Sequence, residues 1–190
     1  RTGEAGAQAT AALPGTLGPE ATDVPSGTTA IPDESLGQVQ RNVRYCRMGD
    51  TDLYLDVYYP QVNPPATGWP AVVMIHGGLW MSGDKSNDPV LKFAEPLRDA
   101  GYLLVSVNYR LSPTVTFPAH LQDVRCAVRY LRANAADYSV NAGRIAAMGH
   151  SSGGHLAALL GVIGDKQRFA EGGDYADVSS RVAAVVDLAG

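Results

Sequence analysis

Four short, almost entirely apolar runs constrain the fold of this sequence more than any other feature. They occupy residues 71–75, 103–107, 144–148 and 182–186. Runs of this kind are typical of strands that are covered on both faces, as in a parallel sheet. Residues 53–59 instead mix apolar and polar positions in partial alternation, which predicts an antiparallel strand near a sheet edge. With one further strand before it, the sequence predicts six strands.

Helical patterns fill the gaps between the predicted strands. A helix can begin at Asp88 and Pro89 and end at Gly101. Pro96, inside this stretch, is expected to kink or shorten it, and residues 156–163 predict a second, buried helix. Because strands and helices alternate, right-handed crossovers place helices on both faces of the sheet. The sequence therefore predicts an α/β fold: a three-layer, mostly parallel sheet with helices on both faces.

The clearest helical pattern begins near Pro118. Its apolar residues recur at steps of three and four and predict a buried face, whereas the polar residues between them are expected to point away from the core. The apolar set is Leu121, Val124, Val128 and Leu131, and the polar set is Gln122, Arg125, Arg129 and Arg132.

Residues 1–38 show neither periodicity and are rich in alanine, glycine, threonine and proline. This composition predicts an irregular or flexible leader, followed by one folded domain over residues 39–190. Such a leader could link the domain to an export signal or cover an active site loosely. The composition therefore leans slightly toward a secreted or periplasmic protein.

Charge and cysteine content exclude several classes of protein. The net charge of −4 and the lack of a basic stripe argue against nucleic acid as a partner. No stretch of about 18 apolar residues occurs, so no transmembrane segment is predicted. Cys46 and Cys126 lack metal-site spacing; two free thiols are the simpler interpretation, and a disulfide is the alternative. No metal or organic cofactor is predicted.

A five-residue turn at 149–153 separates the apolar run at 144–148 from the helix predicted at 156–163. Its sequence, Gly-His-Ser-Ser-Gly, matches the G-x-S-x-G pattern that exposes a serine hydroxyl between a strand and a helix. Ser151 would lie at a helix N-terminus, where free N–H groups favour negative charge. We therefore predict that Ser151 is a catalytic nucleophile, the alternative being a tight turn with an incidental serine.

A second motif, His-Gly-Gly-Leu-Trp at 76–80, directly follows the run at 71–75. Acyl transfer develops an oxyanion, which aimed hydrogen-bond donors must stabilise. Because glycines leave the main chain unobstructed, the N–H groups of Gly77 and Gly78 are candidate donors, and that of Ser152 would complete the oxyanion hole. The alternative is an ordinary glycine turn after a strand.

These motifs and their order resemble those of α/β-hydrolase esterases. The groups they resemble are the hormone-sensitive-lipase-like esterases and the bacterial carbohydrate- and feruloyl-esterase-like branch, and arylformamidases carry a similar oxyanion segment. The resemblance covers roughly residues 40–190. The matching stretches are 76–80, 82–85, 108–112, 117–119 and 149–155.

The resemblance implies roles for individual residues. By it, Ser151 is the nucleophile, and the oxyanion hole is the one already inferred from the glycine motif. It also implies a substrate pocket walled by Trp80, and His76 and Leu79 are candidates for the same pocket. The family's triad runs serine, then acid, then histidine, yet no histidine follows His155 in this sequence.

None of the four histidines suits the role of the base. His155 lies one helical turn below Ser151, so its ring is expected to pack into the fold. His76 belongs to the oxyanion segment and is expected to brace it, and His120 opens a helix. His150 is beside the nucleophile, but its side chain is expected to turn away.

The acids after the nucleophile are also poorly placed for a triad. Asp187, at the tail of the last predicted strand, comes earlier than the family's acid. The run at 182–186 would be an exposed apolar edge strand, which natural proteins avoid. We therefore expect residues 39–190 to form the N-terminal portion of a hydrolase domain that is incomplete at its C-terminal side. The other acids are Asp165, Glu171, Asp174 and Asp177.

The predicted function is a serine carboxylic-ester hydrolase that acts on short-chain or carbohydrate-linked acyl esters through an acyl-enzyme. Its partners are expected to be a small-molecule ester and a complementary C-terminal segment or second chain that supplies the acid and the histidine. The alternatives are an arylformamidase-type amidase and a non-catalytic binding protein on a hydrolase scaffold.

Overall fold

The computed structural model describes residues 36–86, 89–166, 169 and 172–190. The predicted leader lies outside this part of the chain, apart from residues 36–38. Those three residues are attached to the domain, because the Gly37 N–H donates to Pro60 O at 2.8 Å and Leu36 packs against the core.

Six strands and three helices follow one another within the described ranges. None of these helices is long and apolar enough to cross a lipid bilayer. The elements are β1 (Val39–Met48), β2 (Thr51–Tyr58), β3 (Trp69–Ile75), α1 (Pro89–Asp99), β4 (Leu103–Val107), α2 (Ala119–Ala133), β5 (Val140–His150), α3 (Ser152–Ile163) and β6 (Val185–Leu188).

One sheet contains all six strands, in the order β1-β2-β4-β3-β5-β6. β3 pairs in parallel with β4 and with β5, and β5 pairs in parallel with β6. β2 pairs antiparallel with both β1 and β4. The α/β class is therefore confirmed, but the sheet is mixed, with its antiparallel strands at the N-terminal side.

The last strand differs from its prediction in its bounds. It begins at Val185 rather than at Val182, and it lies at a sheet edge as expected. The residues before it still bond to β5, because the Ala183 N–H donates to Ile145 O at 2.8 Å. At the other edge, β1 is the outermost strand and β2 lies next to it. The strand predicted near the edge at 53–59 is β2 and is therefore second from the edge.

Two apolar clusters lie on opposite faces of the sheet. Along β3, Ala71 and Val73 belong to a large cluster with residues of α2 and α3, whereas Val72 and Met74 pack with α1. Successive side chains of a strand point to opposite faces, so the continuous apolar run covers both. The sheet therefore carries α2 and α3 on one face and α1 on the other.

The predicted exposed face of α2 is wrong at two positions. Its apolar residues are buried as expected, but Arg125 and Arg129 are only 1% and 4% exposed. The Arg125 Nε–H donates to Ser180 Oγ at 3.0 Å, and its Nη1 donates to Lys166 O at 3.1 Å. The segment after α3 thus covers a helix face whose own period predicts solvent.

The two cysteines form a disulfide, so the interpretation as free thiols is wrong. Cys46 on β1 and Cys126 on α2 have Cα atoms 6.2 Å apart, and both residues are fully buried. The bond ties the edge strand to the helix that covers it. Because 80 positions separate the two cysteines, only the tertiary structure brings them together.

Candidate active site

Ser151 lies at the sharp turn between β5 and α3. Its backbone has φ 54° and ψ −124°, a conformation that is strained for a residue with a Cβ. The turn is fixed on both sides, because the Ser151 N–H donates to Leu188 O at 2.8 Å and the His155 N–H donates to Ser151 O at 3.0 Å. The serine is half-buried at the N-terminus of α3.

The two glycines of the motif allow close packing around this turn. A Cβ on Gly149 would overlap the carbonyl group of Gly153, and a Cβ on Gly153 would overlap Ile75 O. Neither glycine has a positive φ; the residue that adopts one is Ser151. The glycines therefore let α3 start directly against the ends of β5 and β3.

The loop after β3 lies against Ser151. A Cβ on Gly77 would lie 3.5 Å from Ser151 Cβ and 2.9 Å from His150 O. Gly78 has φ +114°, and its carbonyl accepts the N–H groups of Met81 and Ser82, each at 3.0 Å. The predicted oxyanion segment and the predicted nucleophile are thus neighbours, although 73 to 74 residues separate them in the sequence.

His76 is packed beneath this loop in the protein interior, and it does not line the cleft that the loop borders. It is buried and stacks on Tyr109, with the ring centroids 4.3 Å apart. Its Nδ1–H donates to Gly77 O at 2.7 Å, and the Tyr109 hydroxyl donates to His76 O at 3.0 Å. The expected brace is therefore present, and His76 is placed away from the substrate pocket for which it was a candidate.

A polar network anchors the segment that follows the loop. Lys85 is buried, and its Nζ lies 3.0 Å from Asp56 Oδ1 on β2. The Lys85 N–H donates to Asn108 Oδ1 at 2.6 Å, and Asn108 Nδ2 donates to Asp84 Oδ2 at 2.8 Å. Hydrogen bonds from Ser86 and Asn108 lower the pKa of Asp84 to about 2. Asp84, Lys85 and Asn108 lie in the stretches 82–85 and 108–112 that carry the resemblance to esterases. The charge of Asp56 inside a strand is a further sequence signal of this anchor.

An ion pair between Arg110 and Asp123 anchors the segment 110–120, which forms one side of the cleft described below. The Arg110 guanidinium contacts Asp123 at 2.7 Å, and the Arg110 N–H donates to the same carboxylate at 2.8 Å. Burial raises the pKa of Asp123, although its hydrogen bonds with Arg110 oppose that shift. The pair fixes the start of the segment 110–120 against α2.

A cleft of about 400 Å³ opens beside the turn. The loop after β3 contributes Leu79, Trp80 and Met81 to its lining, and α3 contributes His155 and Leu156. Leu79 and Trp80 thus lie where a substrate pocket was predicted. The Leu79 and Met81 side chains are 68% and 61% exposed, so the mouth of the cleft is apolar.

His155 is exposed, so the prediction that its ring packs into the fold is wrong. The ring meets Trp80 edge to face, with the centroids 5.4 Å apart. One helical turn after the nucleophile, the surface of α3 faces this cleft rather than the core. The cleft is closed on its other side by residues of the segment 110–120, which are Ser112, Thr116, Phe117 and His120.

Two further candidates for the triad, Asp187 and His120, are engaged elsewhere. Asp187 Oδ1 accepts the Gly190 N–H at 2.8 Å beside the first turn of α3. His120 Nε2 lies 3.2 Å from Ser112 Oγ, and burial lowers the pKa of His120. Within the described ranges, no hydrogen bond joins a histidine ring to the Ser151 hydroxyl.

A comparison with known protein families matches the part of the chain that contains this site. The model of the BD-FAE family matches residues 55–190. LipM of Mycobacterium tuberculosis, a probable carboxylic ester hydrolase, is 31% identical over an alignment of 205 positions, gaps included, that covers 98% of this chain and 46% of LipM. The chain thus spans about half the length of that relative.

Two solved structures are similar in fold. A truncated carbohydrate esterase from gut microbiota has a TM-score of 0.69 and 32% identity, covering 83% of this chain and 58% of its own. Esterase 2 of Thermogutta terrifontis, solved as phosphorylated by paraoxon, has a TM-score of 0.65 and 27% identity. That match covers 77% of this chain and 55% of the esterase.

Proposed function

Because the chain belongs to the BD-FAE family of α/β-hydrolase-like proteins, we propose that it supplies the nucleophile and the oxyanion hole of a serine carboxylic-ester hydrolase. In this proposal, Ser151 Oγ attacks the ester carbonyl carbon while a histidine takes its proton. The same histidine then protonates the leaving alcohol. Water hydrolyses the acyl-enzyme, releases the carboxylic acid and restores the serine.

The observation that supports this proposal is the contact between two segments that are distant in the sequence. Gly77 abuts Ser151, and Ser151 is held at a strained φ by backbone hydrogen bonds on both sides. Strain of this kind persists where the surroundings fix it, and it clusters at functional sites. The N–H groups of Gly77, Gly78 and Ser152 are proposed to stabilise the oxyanion, with the α3 N-terminus favouring the same charge.

The base and the acid are proposed to come from a complementary C-terminal segment or a second chain. Two of the four histidines, His76 and His120, hydrogen-bond to other partners. The outer edge of β6 has no further strand in the described part of the chain, and Val186 on it is 42% exposed. A partner strand there would cover this apolar edge. If the native protein is a single 20.0 kDa species with full esterase activity, this part of the proposal is wrong.

The substrate is proposed to be an ester with a short-chain or carbohydrate-linked acyl group. Its support is the fold similarity to the gut carbohydrate esterase together with the cleft between the loop after β3 and α3. Relative turnover of p-nitrophenyl acetate and N-formylkynurenine separates an esterase from an arylformamidase-type amidase. Faster turnover of the second compound would favour the amidase.

Labelling by a fluorophosphonate probe tests the nucleophile directly in the native assembly. The wild-type protein should be labelled at residue 151, and Ser151→Ala should abolish the label. Ser152→Ala is the matched control, because it removes a neighbouring buried hydroxyl and keeps the main-chain N–H. A folded wild-type protein that stays unlabelled would instead support the non-catalytic binding protein.

We also propose that the protein folds in an oxidising compartment. The support is the buried disulfide, since such bonds persist mainly in secreted and periplasmic proteins. Peptide mapping of the native protein without reducing agent should recover the linked Cys46 and Cys126 peptides. Recovery of both as free thiols would contradict this proposal.

A further inference from the structure

The otherwise apolar inner wall of the cleft contains one hydrogen-bonded polar pair, Ser112 and His120. Both residues line the cleft, and His120 is only 4% exposed. Their contact joins Ser112 Oγ to His120 Nε2 at 3.2 Å. A few well-placed polar groups in an apolar pocket usually fix the orientation of a ligand.

The protons of this pair can be assigned from its partners. A serine hydroxyl has a single proton, and Ser112 Oγ donates it to Val115 O at 3.0 Å. The contact with His120 therefore requires that His120 Nε2 carries a proton and donates it to Ser112 Oγ. Burial lowers the pKa of His120, which favours the neutral ring with this single N–H. Both protons of the pair are thus in use.

Because both protons are in use, the pair can act toward a ligand only as a hydrogen-bond acceptor. Ser112 Oγ has two lone pairs, and the bond from His120 occupies one. We infer that the Ser112–His120 pair determines specificity. Its Ser112 Oγ accepts a hydrogen bond from a hydroxyl or N–H group carried by the otherwise apolar substituent of the ester that enters the cleft. This inference rests on the proposed ester hydrolysis for its substrate, and on the geometry of the pair for its selectivity.

The pair should favour a donor over an acceptor of similar size. A ligand with an ether oxygen would bring two sets of lone pairs together, and a ligand with only hydrocarbon would leave Ser112 Oγ unsolvated. Thr116 places a second hydroxyl in the same cleft, but it is exposed, so water can satisfy it. Thr116 therefore provides a matched control.

Tryptophan fluorescence can follow binding without any turnover. The protein has two tryptophans: Trp80 lines the cleft, and Trp69 is buried elsewhere with its indole N–H on Val62 O. The probes are the N,N-dimethylamides of phenylacetic, 4-hydroxyphenylacetic and 4-methoxyphenylacetic acid, whose amide groups carry no N–H. The hydroxyl compound should bind the wild-type protein about 3- to 10-fold more tightly than either of the others. Equal affinities, or no saturable change for any probe, would overturn the inference.

Substitution of the serine should remove the preference. Ser112→Ala removes the acceptor of the probe hydroxyl and leaves the His120 Nε2–H to donate to either probe oxygen, so the hydroxyl and methoxy compounds should then bind about equally. The control Thr116→Val should keep the wild-type order. If Ser112→Ala folds and still prefers the hydroxyl compound, the proton assignment is wrong. The comparison of probes on the wild-type protein remains decisive if Ser112→Ala does not fold.

Turnover separates this inference from the proposed function. The p-nitrophenyl esters of the three corresponding acids should show the same order in kcat/KM in the native assembly. Preferential binding of the hydroxyl probe without turnover of any ester would support the inference and contradict ester hydrolysis. Turnover of all three esters at equal kcat/KM, with equal binding of the probes, would contradict the inference alone.

Discussion

The turn around Ser151 and the face between β1 and α2 are stabilised in opposite ways. The turn has a strained residue at φ 54° and glycines where any side chain would collide with the backbone. The β1–α2 face has a buried disulfide, and Arg125 on α2 bonds to the covering segment. Strain at one place is tolerated because the rest of the fold fixes it. Substitutions at the turn should therefore change activity, and substitutions at the β1–α2 face should change stability.

The largest expected effect is that of Ser151→Ala on turnover. Removing the nucleophile should lower kcat by about 10⁴-fold or more, because the remaining residues stabilise the transition state without forming an acyl-enzyme. The free energy of unfolding should stay close to the wild-type value. Steady-state kinetics and urea unfolding of the same preparation measure both. Retained turnover would remove Ser151 from the mechanism.

Loss of the disulfide should lower the free energy of unfolding and leave kcat unchanged, which is the opposite of the result expected for Ser151→Ala. The double variant Cys46→Ala/Cys126→Ala should lose about 4 kcal/mol in the free energy of unfolding, because the cross-link closes a long loop in the unfolded chain. The kcat of the fraction that remains folded should match that of the wild type. Urea unfolding with and without a reducing agent measures the first quantity. A large fall in kcat would show that this face also positions the site.

Gly78→Val tests the oxyanion segment. A Cβ at this position would overlap Ser82 O, and φ is +114°, so the loop must rearrange. We expect kcat to fall about 100-fold or more through loss of an oxyanion donor. Gly49→Val is the matched control, because Gly49 also has a positive φ but a Cβ added there would meet no other atom within 4 Å. An unchanged kcat in Gly78→Val would contradict the assignment of the donors.

Ser151→Gly sharpens the claim that the turn is strained. Glycine adopts a positive φ without steric cost, so this variant should be more stable than Ser151→Ala by about 1 kcal/mol. Both variants lack the hydroxyl, so the difference reports the backbone alone. Parallel thermal unfolding measures it. A lower stability for Ser151→Gly would mean that the strain is small compared with the flexibility that glycine adds to the unfolded chain.

Asp84→Asn should have the smallest effect, because Asp84 is a partly exposed group near the site. Its folded pKa of about 2 lies below the usual value, so its ionised form stabilises the fold at neutral pH. This contribution should be below about 1 kcal/mol because solvent screens the group. It should disappear as the pH falls from about 4 toward 2. Urea unfolding of both proteins between pH 7 and pH 3 should show the difference shrinking; a difference that grows would reverse the sign.

Much of the fold could be predicted because it depends on local pattern. β4 has the predicted bounds, and α2 buries the predicted apolar face. The placement of Ser151 between β5 and α3 also follows from a short motif with a run of apolar residues on either side. In each case the information lies within a few residues, since strands and helices repeat at fixed periods.

The predictions that were wrong share one physical cause. The apolar periodicity of a helix or strand shows which face that element would bury by itself, but it does not show which other segments pack over the element. Arg125 and Arg129 were predicted to be exposed, but the segment after α3 packs over them. His155 was predicted to point into the fold, but a cleft lies beside the first turn of α3. The disulfide and the Lys85–Asp56 ion pair join positions that no local pattern connects.

The sequence by itself determined the α/β class, the order of the elements and the turn that carries Ser151, because apolar periodicity and glycine spacing act over short range. Only the tertiary structure decided that Gly77 lies against Ser151, that Cys46 reaches Cys126, and that Ser112 and His120 meet in one cleft. Contacts of that kind depend on how the sheet aligns the ends of separate strands and on which segments cover its helices.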